Sequence, residues 1–199
     1  MIPLPVATPY SWPVFNISGA TVRKIVVTFG LIAGAILSVM MVLTFTVLSK
    51  ISFENGAVIG YTTMVLAFLM IYFGVRSYRD NVAGGTIKFG RAFKVGFLIM
   101  LIGVVCYVAT WEVIYYKFTP DFADKYAAHA VEHAKTAGKS DAEVAVLTKQ
   151  MADFKEQYKN PLINIAFTTL EPLPPGLLLT LVSAGLLSRK RRGSAAATA

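Results

Sequence analysis

Two histidines and a glutamate have the residue types and spacing of a metal site. His129 and His133, the only histidines of the chain, lie four residues apart in HAVEH, with Glu132 between them. Histidines at this spacing share one helix face, and H-x-x-E-H is a zinc peptidase pattern. A catalytic zinc needs a third protein ligand, for which the sequence offers no clear candidate. We therefore predict no metal and no cofactor, and interpret the pair as the edge of an amphipathic helix.

Glu171 is the centre of a second candidate site. Asn164, Thr168 and Glu171 recur at i, i+4 and i+7, so on a helix they form one polar stripe. The prolines of the following PLPPG cannot donate backbone hydrogen bonds, which frees carbonyls one turn earlier. Such a set could bind a cation, a proton or a polar head group, as broken helices do in transporters. The alternative is a kinked helix whose protonated Glu171 is hydrogen-bonded to a neighbour.

Glu112 is the other carboxylate in an apolar segment, and it is also a candidate ligand. It lies in TWEVIYY, where Trp111, Tyr115 and Tyr116 are typical of the aromatic belt at a membrane surface. We expect either an acid that extends to the head groups or a functional carboxylate, because charges within spans usually serve a function.

Long apolar segments must position these residues. The chain has 199 residues, of which 55% are hydrophobic and 15% charged. Apolar runs of about 18 residues or more indicate transmembrane helices. The sequence predicts an all-α fold, a single membrane domain over residues 23–192. Its four spans are expected at residues 25–48, 57–75, 95–116 and 162–187.

The basic residues predict the orientation of the spans. Eleven of them, against one acid, fall before the first span, between the second and third, and after the fourth. The opposite side carries eight basic residues and eight acids. Because positive residues stay with the cytoplasm, we expect both termini there, in a bacterial inner membrane.

Residues 118–160 predict an extracytoplasmic helical hairpin between the third and fourth spans. Thr119 with Pro120 is typical of a helix start, and Gly138 of a helix end. Ser140 and Glu143 have capping-box spacing for the second helix. That helix carries an apolar stripe at 3-4 spacing, which we expect to pack on the first helix: Val144, Leu147, Met151, Phe154 and Tyr158.

The segment between the second and third spans is basic, with a Gly84–Gly85 turn. We expect its cations to contact anionic lipid head groups, rather than nucleic acid: Arg76, Arg79, Lys88, Arg91 and Lys94. Small residues at every fourth position of the first two spans predict close helix packing, within the chain or between copies: Gly30, Gly34, Ser38, Gly56 and Gly60.

The chain ends are expected to lie outside the packed domain. Residues 1–22 contain four prolines and no helical period, which predicts an extended arm, and residues 193–199 a disordered tail. The arm lacks a signal-peptide pattern, and Val22 could be the true initiator.

Several segments resemble one family. ENGAVIGYTTM, RSYRDNVAGGTIKFGRAFKVG and LEPLPPGLL are similar to a bacterial inner-membrane family catalogued as domain of unknown function 4199. The resemblance runs from about Val22 to Arg192. It implies four spans and a charged extracytoplasmic segment, and it implies no activity.

Three functions are compatible with this sequence. We favour a non-enzymatic accessory or interaction protein, whose partner is a membrane protein or a second copy of the chain. A small oligomeric carrier for ions or protons, using Glu171, is the alternative. A membrane enzyme acting on lipid-linked substrates is the third, and no catalytic residue can be named for it.

Overall fold

The computed structural model describes residues 19–46 and 53–189, and these ranges form helices without strands. Residues 1–18 of the expected arm and the expected tail lie outside the described residues. The helices follow one another along the chain as α1 Gly19–Thr46, α2 Phe53–Asn81, α3 Phe89–Lys117, α4 Phe122–Thr136, α5 Asp141–Tyr158, α6 Pro161–Leu170 and α7 Leu173–Ser188.

Four segments are long and apolar enough to cross a membrane: Thr21–Phe45, Val58–Asn81, Phe89–Lys117 and Pro161–Ser188. The predicted all-α class and the number of spans are confirmed. The second helix ends later and the third begins earlier than predicted, because the flanking charged residues continue the helical turns. Length and composition are those of a multi-pass membrane protein.

The spans form a bundle in which α3 packs against α1, α2 and α7. α2 also packs against α1 and α7, while α6 diverges to pack on α3 and α5. The centre is filled by large apolar side chains with no exposed surface, among them Phe68, Ile71, Ile99 and Met100. The bundle core is therefore a packed apolar interior.

The small residues of α1 bring it close to α3. A Cβ added at Gly34 would lie 2.6 Å from the Sγ of Cys106, and one at Gly30 would lie 2.7 Å from the Cβ of Ile102. One turn further, Thr110 Oγ1 donates to Ser38 Oγ at 2.7 Å. This half of the predicted small-residue pattern is explained by packing within the chain.

Two of the connections follow the sequence closely. Gly84 and Gly85 have φ of 66° and 84°, which is the left-handed region that favours glycine. The Gly85 amide donates to the Arg79 carbonyl at 2.9 Å and ends α2. Gly138 has φ of 74° and ends α4, so that α5 can return antiparallel to it.

Candidate functional site

Two sets of hydrogen bonds join α3 to α6 and its end, and together they are here called the polar seam. Trp111, Tyr158, Asn164 and Thr168 form one set, and Tyr107 and Glu171 form the other. Trp111 Nε1 donates to Tyr158 OH at 2.9 Å and to Asn164 Oδ1 at 3.2 Å. Thr168 Oγ1 donates to the same Asn164 oxygen at 3.2 Å. Asn164 has no exposed surface, so its amide is the buried hub of the seam.

Glu171 lies at the inner end of the seam. Tyr107 OH donates to Glu171 Oε2 at 2.7 Å, and Tyr107 is buried. Glu171 itself is exposed on the surface of the bundle. It lies ten residues after Pro161, or about 15 Å along the helix axis, which is near the middle of a bilayer core. The seam thus holds one oxygen of a mid-depth carboxylate and leaves the group accessible from outside.

The proline cluster interrupts the helix for two residues without unwinding it. Glu171 has φ −64° and ψ −52°, and Pro172 has φ −80° and ψ −10°, so both residues stay in the right-handed helical region. α6 ends at Leu170 and α7 begins at Leu173. The hydrogen bond that Tyr107 donates gives Glu171 the bonded neighbour that the kinked-helix alternative expects.

Glu112 does not take part in the hydrogen bonds of the seam. It is half-buried on α3, and its Oε1 atom has no hydrogen-bond partner among the described residues. The same is true of the buried Nδ2 atom of Asn164. The structure therefore places Asn164, Thr168 and Glu171 in one seam and leaves the fourth candidate outside it.

An aromatic cluster attaches the hairpin to the bundle. The Trp111 ring lies 4.7 Å from that of Phe122 on α4 and 5.3 Å from that of Phe45 on α1. The Tyr115 ring lies 5.4 Å from that of Tyr158 on α5. The expected aromatic belt is thus wrong for Trp111 and Tyr115, which are buried under the hairpin.

The hairpin itself has the predicted helices, with α4 beginning later than Thr119. The Phe122 amide donates to the Thr119 carbonyl at 3.0 Å, so Thr119–Pro120 forms a turn ahead of the helix. The Ser140–Glu143 capping box is present. The Ser140 hydroxyl and amide, which donate to Glu143, hold the pKa of that carboxyl below its ordinary value.

The packing between α4 and α5 extends along the length of α4. Ala123, Ala127 and Ala134 are buried on α4, and Tyr158 is buried on α5. Phe154 is half-buried, and its ring lies 5.6 Å from that of Tyr126. The predicted stripe of α5 is therefore buried at Tyr158 and half-buried over the rest of its length.

The two histidines share a face of α4, with ring centroids 6.2 Å apart. The described residues contain no group of three or more metal-ligating side chains of the histidine, cysteine or carboxylate type. The structure thus brings the pair together and adds no third ligand to it.

The five predicted lipid-contact residues gather where α2 ends and α3 begins. Arg76, Lys88, Arg91 and Lys94 are exposed there. Arg79 differs, because its Nε donates to Asp80 Oδ1 at 2.7 Å and its side chain is only 18% exposed. Arg76 also pairs with Asp80, with its Nε 3.6 Å from Oδ2. Lys88, Arg91 and Lys94 are thus available to head groups, and the two arginines of α2 are engaged within the chain.

Three residues of the seam were not among the sequence-based candidates: Tyr107, Trp111 and Tyr158. Tyr107 and Trp111 lie at i, i+4 on α3, which puts their polar atoms on one helix face. Aromatic residues with a polar atom, at matching spacing on the neighbouring span, are the signal that could have found them.

The buried Tyr158 predicts a dependence of hairpin attachment on high pH. Burial raises the pKa of Tyr158 to about 12, above its ordinary value of 10.0. A raised pKa in the folded state gives stability that is complete below the unfolded value and lost as pH rises towards 12. We expect Trp111 fluorescence, with Trp12 replaced by phenylalanine, to shift to the red over this range.

Two variants test the assignment of that shift. Tyr158→Phe should lose about 1 kcal/mol of stability at neutral pH, because Trp111 loses one acceptor, and should lack the alkaline step. Tyr116→Phe removes a half-exposed hydroxyl outside the seam and should retain it. An unchanged alkaline step in Tyr158→Phe would contradict the prediction.

The comparisons with known proteins agree with the resemblance seen in the sequence. No curated protein and no solved structure matches the chain. One family model matches over residues 28–189, which include most of the first span, the other three spans and the hairpin. The chain therefore belongs to the family described as protein of unknown function (DUF4199).

Proposed function

We propose that this chain is a non-enzymatic accessory protein of a bacterial inner membrane that presents a helical hairpin to a partner protein. The observation that carries the proposal is the hairpin's attachment: one end is fixed to the bundle and the other is exposed. The spans then serve as an anchor, and the hairpin serves as the contact surface.

The attachment is both apolar and polar. The Trp111 indole lies 4.7 Å from the Phe122 ring at the start of α4 and bonds Tyr158 at the end of α5. Both ends of the hairpin thus meet the same side chain of α3. Attachment at two points restricts the motion of the hairpin relative to the bundle. Because the surface is then preorganised, less entropy is lost when a partner binds to it.

The distal part of the hairpin is open to a partner. Most residues from 135 to 150 are exposed, and Val146 is 59% exposed. Residues 117–159 contain seven lysines and seven acids, so the surface has no strong net charge. A nearly neutral helical surface suits a protein partner better than nucleic acid or an anionic lipid surface.

The proposed orientation puts the hairpin outside and both termini in the cytoplasm. It rests on the excess of basic residues at the opposite end of the bundle. The exposed cations there, such as Arg91 and Lys94, would each gain about 1 kcal/mol near anionic head groups. Lipid contact at one end and protein contact at the other is consistent with an accessory role.

Photo-crosslinking tests the proposal in intact cells of the native host. A benzophenone amino acid at Val146 should give a discrete adduct with one partner protein, because this position lies on the exposed part of α5. The matched control is Val105, a valine of α3 that is 66% exposed on the bundle surface. We expect no such adduct from Val105.

The adduct mass distinguishes the occupants. An adduct of about twice the 21.6 kDa chain mass indicates a second copy, and any other discrete mass a different protein. If neither Val146 nor its exposed neighbours on α5 give a discrete adduct, the hairpin is not a docking surface and the proposal fails.

A second candidate function is a proton- or ion-coupled carrier built around Glu171. One observation favours it: a carboxylate near mid-depth is bonded to Tyr107 and is still exposed on the bundle surface. Ionisable residues at this depth usually serve a function. Four spans are few for a carrier, so this candidate requires an oligomer that covers Glu171.

Proton flux into proteoliposomes, driven by a potassium diffusion potential, tests the carrier. Glu171→Gln should reduce flux at least about tenfold, since the amide cannot bind and release a proton. Glu112→Gln is the matched control, because it changes the other carboxylate of the spans and leaves the Tyr107 bond intact. Flux that is equal in both variants and the parent protein excludes this role for Glu171.

A further inference from the structure

We propose that the groove between α4 and α5 binds a small amphiphilic anion, in which a phosphate or carboxylate is attached to an apolar body. The groove has a volume of about 320 Å³ and lies in the middle of the hairpin. Its size is at the lower end of the range for small-molecule sites. The inference is independent of the proposed accessory and carrier functions.

The polar lining of the groove consists of hydrogen-bond donors. His129 and His133 lie on adjacent turns of α4, and Tyr126 precedes them on the same face. Lys139, from the connection between the helices, completes the lining. No aspartate or glutamate lines the groove. Two imidazoles, an ammonium and a phenol converge on one space, and charge-assisted bonds from such donors stabilise an anion.

The rest of the lining is apolar and small. Ala134 is buried, Ala130 is half-buried, and Leu147 contributes the face of α5. Alanines on α4 leave open the volume that larger side chains would fill. An apolar body of about the size of one aromatic ring can lie on these residues while its anionic group meets the donors.

The charged residues around the groove favour an anion over a metal cation. Lys139 is itself a cation in the lining, and it opposes a second positive charge. On α4, Glu132 lies 3.9 Å from Lys135, outside the lining. On α5, Glu143 is held by the capping box with Ser140, and its charge also interacts with that of Lys139. The lining of the groove itself offers a metal no carboxylate ligand.

The two ligand classes differ in the probe that should bind. An anion site should respond to phenyl phosphate and a metal site to Zn²⁺. Titration of the full chain with each probe thus separates the proposal from its main competitor.

The experiment uses the full chain in detergent with ¹³C-labelled histidine, which gives one ring Hε1 signal for each of the two histidines. The probe is phenyl phosphate, with benzoate to represent carboxylates and benzyl alcohol as the neutral analogue. We expect phenyl phosphate to shift both signals saturably, with Kd on the order of 1 mM or tighter.

Variants identify the groove as the site. Lys139→Met should weaken phenyl phosphate binding at least about fivefold, since it removes one charge-assisted contact. Lys149→Met removes an exposed lysine of α5 that does not line the groove, and it should leave the affinity unchanged. Both positions are exposed, so neither substitution should unfold the hairpin.

Three outcomes overturn the proposal. The first is that neither anion shifts the histidine signals at millimolar concentration. The second is that benzyl alcohol shifts them as strongly as the anions, which would indicate an apolar patch only. The third is that Zn²⁺ shifts the histidine signals while phenyl phosphate has no effect, which would make the histidine pair a metal site. Benzoate binding without phenyl phosphate binding narrows the anion to a carboxylate.

Discussion

Polar side chains within spans three and four must find their partners in each other, because the bilayer core offers no water to satisfy them. Asn164 is the centre of this constraint, with no exposed surface and an oxygen that accepts from both Trp111 and Thr168. The geometry of α3 against α6 follows from these bonds. Loss of the Trp111 bond would leave the buried Asn164 oxygen with Thr168 as its remaining donor in an apolar interior.

The Trp111 indole also attaches the polar hairpin to the bundle of membrane-spanning helices. Its N–H faces Asn164 and Tyr158, and its ring packs against Phe122 and Phe45. One side chain thus contributes to the buried seam and to the hairpin attachment. Tyr107 and Glu171 form a second hydrogen-bonded pair between α3 and the end of α6, near mid-depth. Neither the accessory role nor the carrier role requires a catalytic residue.

Much of this fold could be predicted from local sequence signals. Long apolar runs indicated the spans, while Gly84, Gly85 and Gly138 indicated helix ends that the backbone dihedrals confirm. Contacts between residues far apart in sequence were harder to predict, because a single sequence does not say which helix faces pack together. An antiparallel match of predicted span ends 116 and 162 does put Tyr107 opposite Glu171, nine residues inward from each. Trp111 was assigned to an exposed aromatic belt, whereas it is buried against the hairpin. Both environments favour aromatic residues at that depth, so the sequence pattern does not separate them.

Hydrogen exchange of the Trp111→Phe protein, measured by mass spectrometry in a native-like bilayer, tests the central role of this indole most directly. The substitution keeps an aromatic ring and removes the N–H that reaches Tyr158 and Asn164. A lost interhelical bond of this kind should speed exchange of α4 and α5 together by about 3-fold to 20-fold, with α1 and α2 unchanged. Unchanged exchange throughout the hairpin would contradict the account.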